Sequence, residues 1–312
     1  MKLCILTEPQ SGATYDDQLR IAKAAEDLGF HGFFRADHYV PIGGGDGLPG
    51  PTDTWTTLAG LARDTSTIRL GSLMTSATFR APGPLAITVA QTDHMSGGRI
   101  EFGLGAGWYE PEHTAYGVPF PDVRERFDRF EEQLGIITGL WATPEGQTFD
   151  HAGTYYTVTN SPGLPKPLQR PRPPLLIGGY GTRRTPRLAA RYADEFNLAY
   201  PDFDQVADAF DRVRLACADA GRDEGSMAFS VSQAVCCGRD AAEITRRAPA
   251  GRAPESMRDK WLVGTPDEVV DKIGKLGELG ASRVYLRTHT LGDVDQLELL
   301  AHDVLRQVGT GS

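Results

Sequence analysis

The stretch 67–117, TIRLGSLMTSATFRAPGPLAITVAQTDHMSGGRIEFGLGAGWYEPEHTAYG, limits the fold more than any other part of the chain. Apolar runs at 68–73 and 100–104 predict two short buried strands. Between them, 85–95 has helical spacing and is closed by Ser96-Gly97-Gly98. Each strand runs at its C-terminal end into an unusual loop, rich in hydroxyls after the first and in glycine after the second. In a parallel α/β barrel, chemistry sits at those ends. Two neighbouring loops of this kind describe one wall of a cofactor pocket.

The same alternation runs along the whole chain. Strands are predicted at 3–7, 31–36, 68–73, 100–104, 175–177, 195–198, 228–235 and 283–287. Helices are predicted at 15–28, 54–63, 85–95, 123–141, 185–192, 203–220, 265–276 and 293–308, the seventh signalled by Thr265 as N-cap, Pro266 at N1 and Glu268 at N3. Eight strands alternating with eight helices are the pattern of a closed (β/α)8 TIM barrel, read here as one domain over 1–312. Two insertions are expected. One spans 147–174, with an arm of a small hairpin at 154–158 and the proline-rich PGLPKPLQRPRPP leading back; the other is a polar, basic segment at 239–260, read as a lid or mobile loop. A doubly wound sheet would want GxGxxG after the first strand, where Glu8-Pro9-Gln10 stands instead.

A net charge of −9 and a pI near 5.3 argue against nucleic acid or an anionic membrane as partner, since both need a basic face. Cys4, Cys217, Cys236 and Cys237 form no CxxC pair and read as buried thiols of a reducing compartment. The start MKLCILTE reads as a strand rather than a signal peptide, and no apolar run approaches the ~20 residues of a membrane span. The expectation is a cytoplasmic protein.

Several constellations offer chemistry. Asp37-His38 follows the second strand, where a histidine facing the mouth can give or take a proton near neutral pH; a pair of local hydrogen bonds is the plainer reading. Leu73, Met74, Thr75, Ser76, Ala77 and Thr78 end the third strand and either support a flat ring or form an ordinary rim. Arg80 fits an anionic cofactor tail or a local carboxylate equally well. After the fourth strand, Gly105, Ala106 and Gly107 let a ligand approach the backbone and Trp108 can border an aromatic ring. Glu110, Glu112 and His113 read either as ligand contacts or, more plainly, as hydrogen-bonding groups at a helix start. Gly178, Gly179, Tyr180, Gly181 and Thr182, followed by Arg183-Arg184, suit a phosphate at a helix N-terminus, or a solvated basic turn. The seven histidines show no HxH or HExxH spacing, so no metal site is expected, and no GxSxG marks a hydrolase.

Taken together, GFHGFFRADHY, LGSLMTSATFR, SGGRIEFGLGAGWYEPEHTAYG, ERFDRFEEQLGIITGLW, PPLLIGGYGTRRTPRLAARYADEFN and VGTPDEVVDKI resemble the bacterial luciferase-like monooxygenase superfamily, and within it the coenzyme F420-dependent oxidoreductases. The resemblance implies a homodimeric barrel with a flavin or deazaflavin across its mouth. It implies a non-proline cis peptide at Leu73-Met74, Asp37 and His38 beside the ring, a glycine loop at Gly105, Ala106, Gly107 and Trp108, and a phosphate loop at Gly178, Gly179, Tyr180, Gly181 and Thr182. F420-dependent sugar-phosphate dehydrogenases of this superfamily carry a catalytic glutamate where Trp108 stands, and a tryptophan after the histidine where this chain has Tyr39 and Gly43-Gly44-Gly45. The implied activity is hydride transfer between F420 and a small organic substrate, with His38 and Asp37 as catalytic residues. The alternatives are an FMN-dependent monooxygenase fed by a separate reductase, and a catalytically silent flavin-binding barrel.

Overall fold

The computed structural model describes residues 1–249, 251–290 and 292–309. The barrel opens with β1 (Lys2–Thr7), β2 (Gly32–Arg35), β3 (Arg69–Ser76) and β4 (Ile100–Gly105), each parallel to the next. A small antiparallel hairpin of β5 (Phe149–Ala152) and β6 (Thr157–Ser161) stands outside it. The barrel continues through β7 (Leu175–Gly178), β8 (Glu195–Ala199) and β9 (Ala228–Cys237). A short β10 (Leu262–Gly264) pairs with β9 as an outlying strand, and β11 (Arg283–Thr288) joins β9 back to β1. Eight parallel strands therefore close on themselves, as the alternation predicts.

The helices are α1 (Tyr15–Asp27), α2 (Thr54–Asp64), α3 (Pro82–Ser96), α4 (Glu110–Tyr116), α5 (Val123–Ala142), α6 (Arg184–Tyr192), α7 (Phe203–Asp219), α8 (Ala241–Arg247), α9 (Pro266–Glu278) and α10 (Val294–Leu300). Local chemistry starts several of them. Thr265 and Glu268 form the expected capping box of α9, and Pro82 at the head of α3 starts that helix three residues before the periodicity alone indicates.

Alternation along the strands sorts two cores. Leu3 and Ile5 join the large apolar layer between strands and helices, whereas Cys4 and Leu6 join a separate cluster with Phe34, Leu176, Tyr285 and Leu73 inside the barrel. Beneath that cluster, near the N-terminal ends of the strands, lies an ionic layer. Arg283 Nη1 sits 2.6 Å from Glu101 and 2.9 Å from Glu195, Tyr285 donates to Glu195 at 2.6 Å, and Arg69 bonds the other oxygen of Glu101.

Some expectations differ from the structure. The hairpin arms fall at Phe149–Ala152 and Thr157–Ser161, so the 154–158 stretch straddles the turn; Gly153, Thr154 and Tyr155 make the reversal, and Glu132 of α5 accepts the N–H groups of Thr154, Tyr155 and Tyr156 there. The described residues of the 239–260 segment carry local structure of their own. It contains α8, capped by Asp240, and a 3-10 turn Pro254–Met257, and Ile244 and Met257 pack on Cys236 and Val263 as a small third core. The last predicted helix is interrupted by a π-helical stretch, Ala301–Leu305. All four cysteines are buried, and burial raises the thiols of Cys236 and Cys237 to about 11 and about 12. No helix among the described residues is long and apolar enough to cross a membrane.

Candidate active site

The C-terminal ends of β2, β3, β4 and β7 bring the predicted residues to one half of the barrel mouth. The Leu73-Met74 peptide is cis, and the β3–β4 ladder changes register between Ser72 and Thr75. Met74 is laid across the neighbouring strands. A β-carbon added at Gly178 would meet Met74 Cε at 2.5 Å, and one at Gly103 would come within 3.4 Å of Met74 Cγ. Glycine on β4 and β7 thus leaves room for the methionine that floors this half of the mouth.

His38 stands beside this floor, just past the end of β2. Its Nδ1 lies 2.9 Å and 3.1 Å from the two oxygens of Glu112, which is 1% exposed. Glu112 also accepts the backbone N–H of Tyr39 at 2.9 Å. A buried carboxylate on Nδ1 fixes the tautomer and leaves Nε2 as the nitrogen that exchanges a proton with a ligand. Trp108 and Tyr109 meet the imidazole edge-on at 5.7 Å and 6.1 Å. With 62% of its surface exposed, Trp108 forms the outer rim rather than an inner stacking platform.

Asp37 has a different place from the one expected. It is 1% exposed, and its carboxylate receives Arg80 Nη1 at 2.5 Å and the N–H of Ser76 at 3.4 Å. Arg80 also reaches Asp53 at 2.5 Å and the Tyr39 hydroxyl at 3.3 Å. These carboxylates outweigh desolvation and hold the Arg80 guanidinium well above its ordinary range. Of the two roles open to Arg80, the local carboxylate is the one it fills, and Asp37 is engaged by Arg80 and the Ser76 N–H. Fully buried Arg35 holds the segment bearing Asp53 through Thr52, at 2.8 Å and 2.9 Å; desolvation pushes that guanidinium down to about 10.

Thr75 also departs from the expectation. Its hydroxyl is buried, donating to Ser72 at 2.9 Å and accepting from the Trp55 indole at 3.0 Å, and the whole residue is enclosed. The two ring-side loops are clasped together: Ser76 Oγ lies 2.6 Å from Thr78 Oγ1, which lies 2.6 Å from His113 Nε2, and His113 Nδ1 bonds Tyr109 O at 2.8 Å. Gly107, at φ +80°, lies directly on these hydroxyls, where a β-carbon would come within 2.7 Å of Ser76 Oγ.

The 178–182 loop runs into α6. Gly181 and Thr182 are exposed there, and the Tyr180 hydroxyl donates to Ala199 O at 2.8 Å. Arg184 is engaged by Asp128 of α5 at 2.7 Å, which leaves exposed Arg183 as the basic residue next to the loop. Sequence reasoning took Glu112 for a helix-start group. Its true partners lie 73 and 74 residues away, and only its place beside Pro111 at the start of a short helix hinted at burial.

Residues 1–257 match the luciferase-like monooxygenase family. The chain belongs to this family. Among curated luciferase-like relatives, an F420-dependent glucose-6-phosphate dehydrogenase of Beutenbergia cavernae is 27% identical, over 93% of this chain and 92% of its own length. The oxygenase component of a flavin-dependent trigonelline monooxygenase of Acinetobacter baylyi is 29% identical, over 52% of this chain and 42% of its own length. Of solved luciferase-like structures, a monooxygenase from Streptomyces bottropensis superposes with a TM-score of 0.80 at 26% identity, covering 99% of this chain and 100% of that one.

Proposed function

We propose that this protein is a coenzyme F420-dependent oxidoreductase that transfers a hydride between the deazaflavin and a small organic substrate. The observation that carries the proposal is His38, held just past the end of β2 by buried Glu112 at Nδ1, which leaves Nε2 for a ligand, beside a glycine-lined floor. These residues fit a flat tricyclic ring. Leu73 and Met74 support it from below, while Gly105, Ala106, Gly107 and Trp108 flank it. The tail phosphate fits Gly178, Gly179, Tyr180, Gly181 and Thr182 at the start of α6. The near full-length likeness to an F420-dependent dehydrogenase adds support.

When bound, the deazaflavin supplies or accepts the hydride. His38 Nε2 then gives the balancing proton to the substrate oxygen as it is reduced, or removes it as an alcohol is oxidised. Glu112 keeps the imidazole in the orientation that both directions need. Glu112→Gln is expected to lower kcat by about 10- to 100-fold with F420 affinity unchanged, measured in anaerobic steady state; an unchanged kcat would remove Glu112 from the site. The protein is read as a cytoplasmic homodimer; in the direction of substrate reduction a separate reductase would resupply the reduced cofactor.

Likeness to a flavin-dependent monooxygenase component and to a further monooxygenase structure favours a second reading, an FMN-dependent oxygenase fed by a separate reductase. Titration with F420 and FMN separates the two. The proposal expects F420 to bind at least ~10-fold more tightly, a difference of about 1.4 kcal/mol. Tight FMN binding with reductase-dependent oxygen uptake and no affinity for F420 would overturn it. Bound F420 that no carbonyl, enone or alcohol can reduce or oxidise would point to the catalytically silent barrel.

A further inference from the structure

The other half of the mouth, at the ends of β1, β8 and β11, carries polar groups that the proton-transfer chemistry does not use. Arg287 is the penultimate residue of β11, two residues after Tyr285, and so shares its inward face; it lies in register with Leu6 of β1 and Ala234 of β9. Its Nη2 lies 2.6 Å from Glu8 Oε2. Tyr200, held by its backbone N–H on Ser232 O at 2.8 Å, donates its hydroxyl to Glu8 Oε1 at 2.9 Å.

Arg287 Nη1 lies 3.0 Å from His289 Nδ1, and because a guanidinium only donates, that nitrogen presents its lone pair. Burial, then Arg287 and Arg252, push His289 down to about 3, so it adds no positive charge at neutral pH. The His289 ring stacks on Trp261 at 5.2 Å, and Arg252 lies over the other ring of that stack, 5.7 Å from the Trp261 centroid. Lys260 is paired with Asp202 at 3.0 Å. Among the described residues, the one inward guanidinium on the strands of this half is therefore already neutralised by a carboxylate.

We propose that Glu8, Tyr200 and Arg287 form the substrate-facing wall of the mouth, and that the Glu8–Arg287 pair restricts the substrate to an uncharged carbonyl or alcohol compound instead of a phosphorylated or carboxylated one. The inference rests on the hydride-transfer reading above and names its substrate class. An anionic group entering here has to compete with the Glu8 carboxylate for Arg287 and comes to lie beside that charge, which is discrimination by repulsion. A neutral oxygen finds the remaining donor capacity of Arg287, and an alcohol can also donate to the Tyr200 hydroxyl oxygen, without displacing an ion.

Glu8→Gln keeps the shape and releases the cation. F420-loaded wild type and variant are titrated with inorganic phosphate by calorimetry, and Glu8→Gln is expected to bind it at least ~10-fold more tightly. The double variant E8Q/R287Q should lose that gain. Matched substrates, glucose with glucose 6-phosphate and cyclohexenone with a carboxylated cyclohexenone, are then compared by kcat/KM. Wild type should favour the neutral member of each pair, and Glu8→Gln should narrow the ratio about tenfold. Equal phosphate affinity in wild type and Glu8→Gln, a gain that survives in E8Q/R287Q, or a wild-type preference for the charged member overturns the inference. Failure to bind F420 sinks the cofactor reading alone: the phosphate comparison is then run on the same proteins without deazaflavin and decides the question of the wall by itself.

Discussion

Substituting alanine for His38 is expected to cut kcat by ~100-fold or more while leaving F420 affinity nearly intact. The two effects separate because His38 is fixed from behind. Glu112 holds Nδ1 at 2.9 Å, and the Met74 floor proposed to receive the ring is given its room by glycines of β4 and β7, not by the imidazole. Removing the side chain takes away the proton carrier at Nε2 without disturbing that floor. Added imidazole should restore part of the rate in His38→Ala, an effect a purely structural residue would not show. Turnover equal to wild type would remove His38 from the mechanism, and a large loss of cofactor affinity at unchanged kcat would recast it as a binding residue.

The periodic parts of this fold were legible in the sequence, and long-range polar pairings were not. Strand and helix alternation rests on apolar spacing, which the chain displays openly in β1, β4, α1 and α9. β10 is three residues long and α4 seven, too short for a period to show. The site divides in the same way. The loops of Gly105, Gly107, Gly178 and Gly179 carry their signal in residue type, and Asp37-His38 in adjacency. Which partner each ionisable group takes is decided by the closed barrel. Asp37 finds Arg80 43 residues on, Glu112 returns 74 residues to His38, and Thr75 turns inward to Trp55 and Ser72. Asp37 and Arg80 were both visible as candidates; that they satisfy each other follows only from the shared rim of β2 and β3.

Arg283→Met carries the largest expected effect on stability, about 3–5 kcal/mol, and a fall in Tm on the order of 10 °C. Arg283 joins Glu101 and Glu195, both almost fully buried inside the barrel, and Tyr285 completes the layer at 3.0 Å from its Nη1. Desolvation opposes ionisation of both carboxyls. At Glu101, Arg283 and Arg69 outweigh it and hold the group below its usual range; at Glu195 desolvation wins and the group is raised despite Arg283. Methionine removes the charge the two share and leaves two carboxylates in the interior. Glu195, raised already, then loses the charge that lowers it and rises further, while Glu101 keeps only Arg69 against desolvation. A group raised on folding favours the folded state at low pH and loses that contribution as pH rises through its folded value. The deficit of Arg283→Met against wild type should accordingly be largest at pH 8 and shrink toward pH 5, as read by thermal unfolding at both. Exchanging the carboxylates as well, in E101Q/E195Q/R283M, should recover part of the loss, because no uncompensated charge remains buried. This layer lies at the opposite end of the strands from His38, so F420 affinity should not change in either variant. A Tm within about 2 °C of wild type at pH 8 would show that the layer is not what holds the lower barrel together.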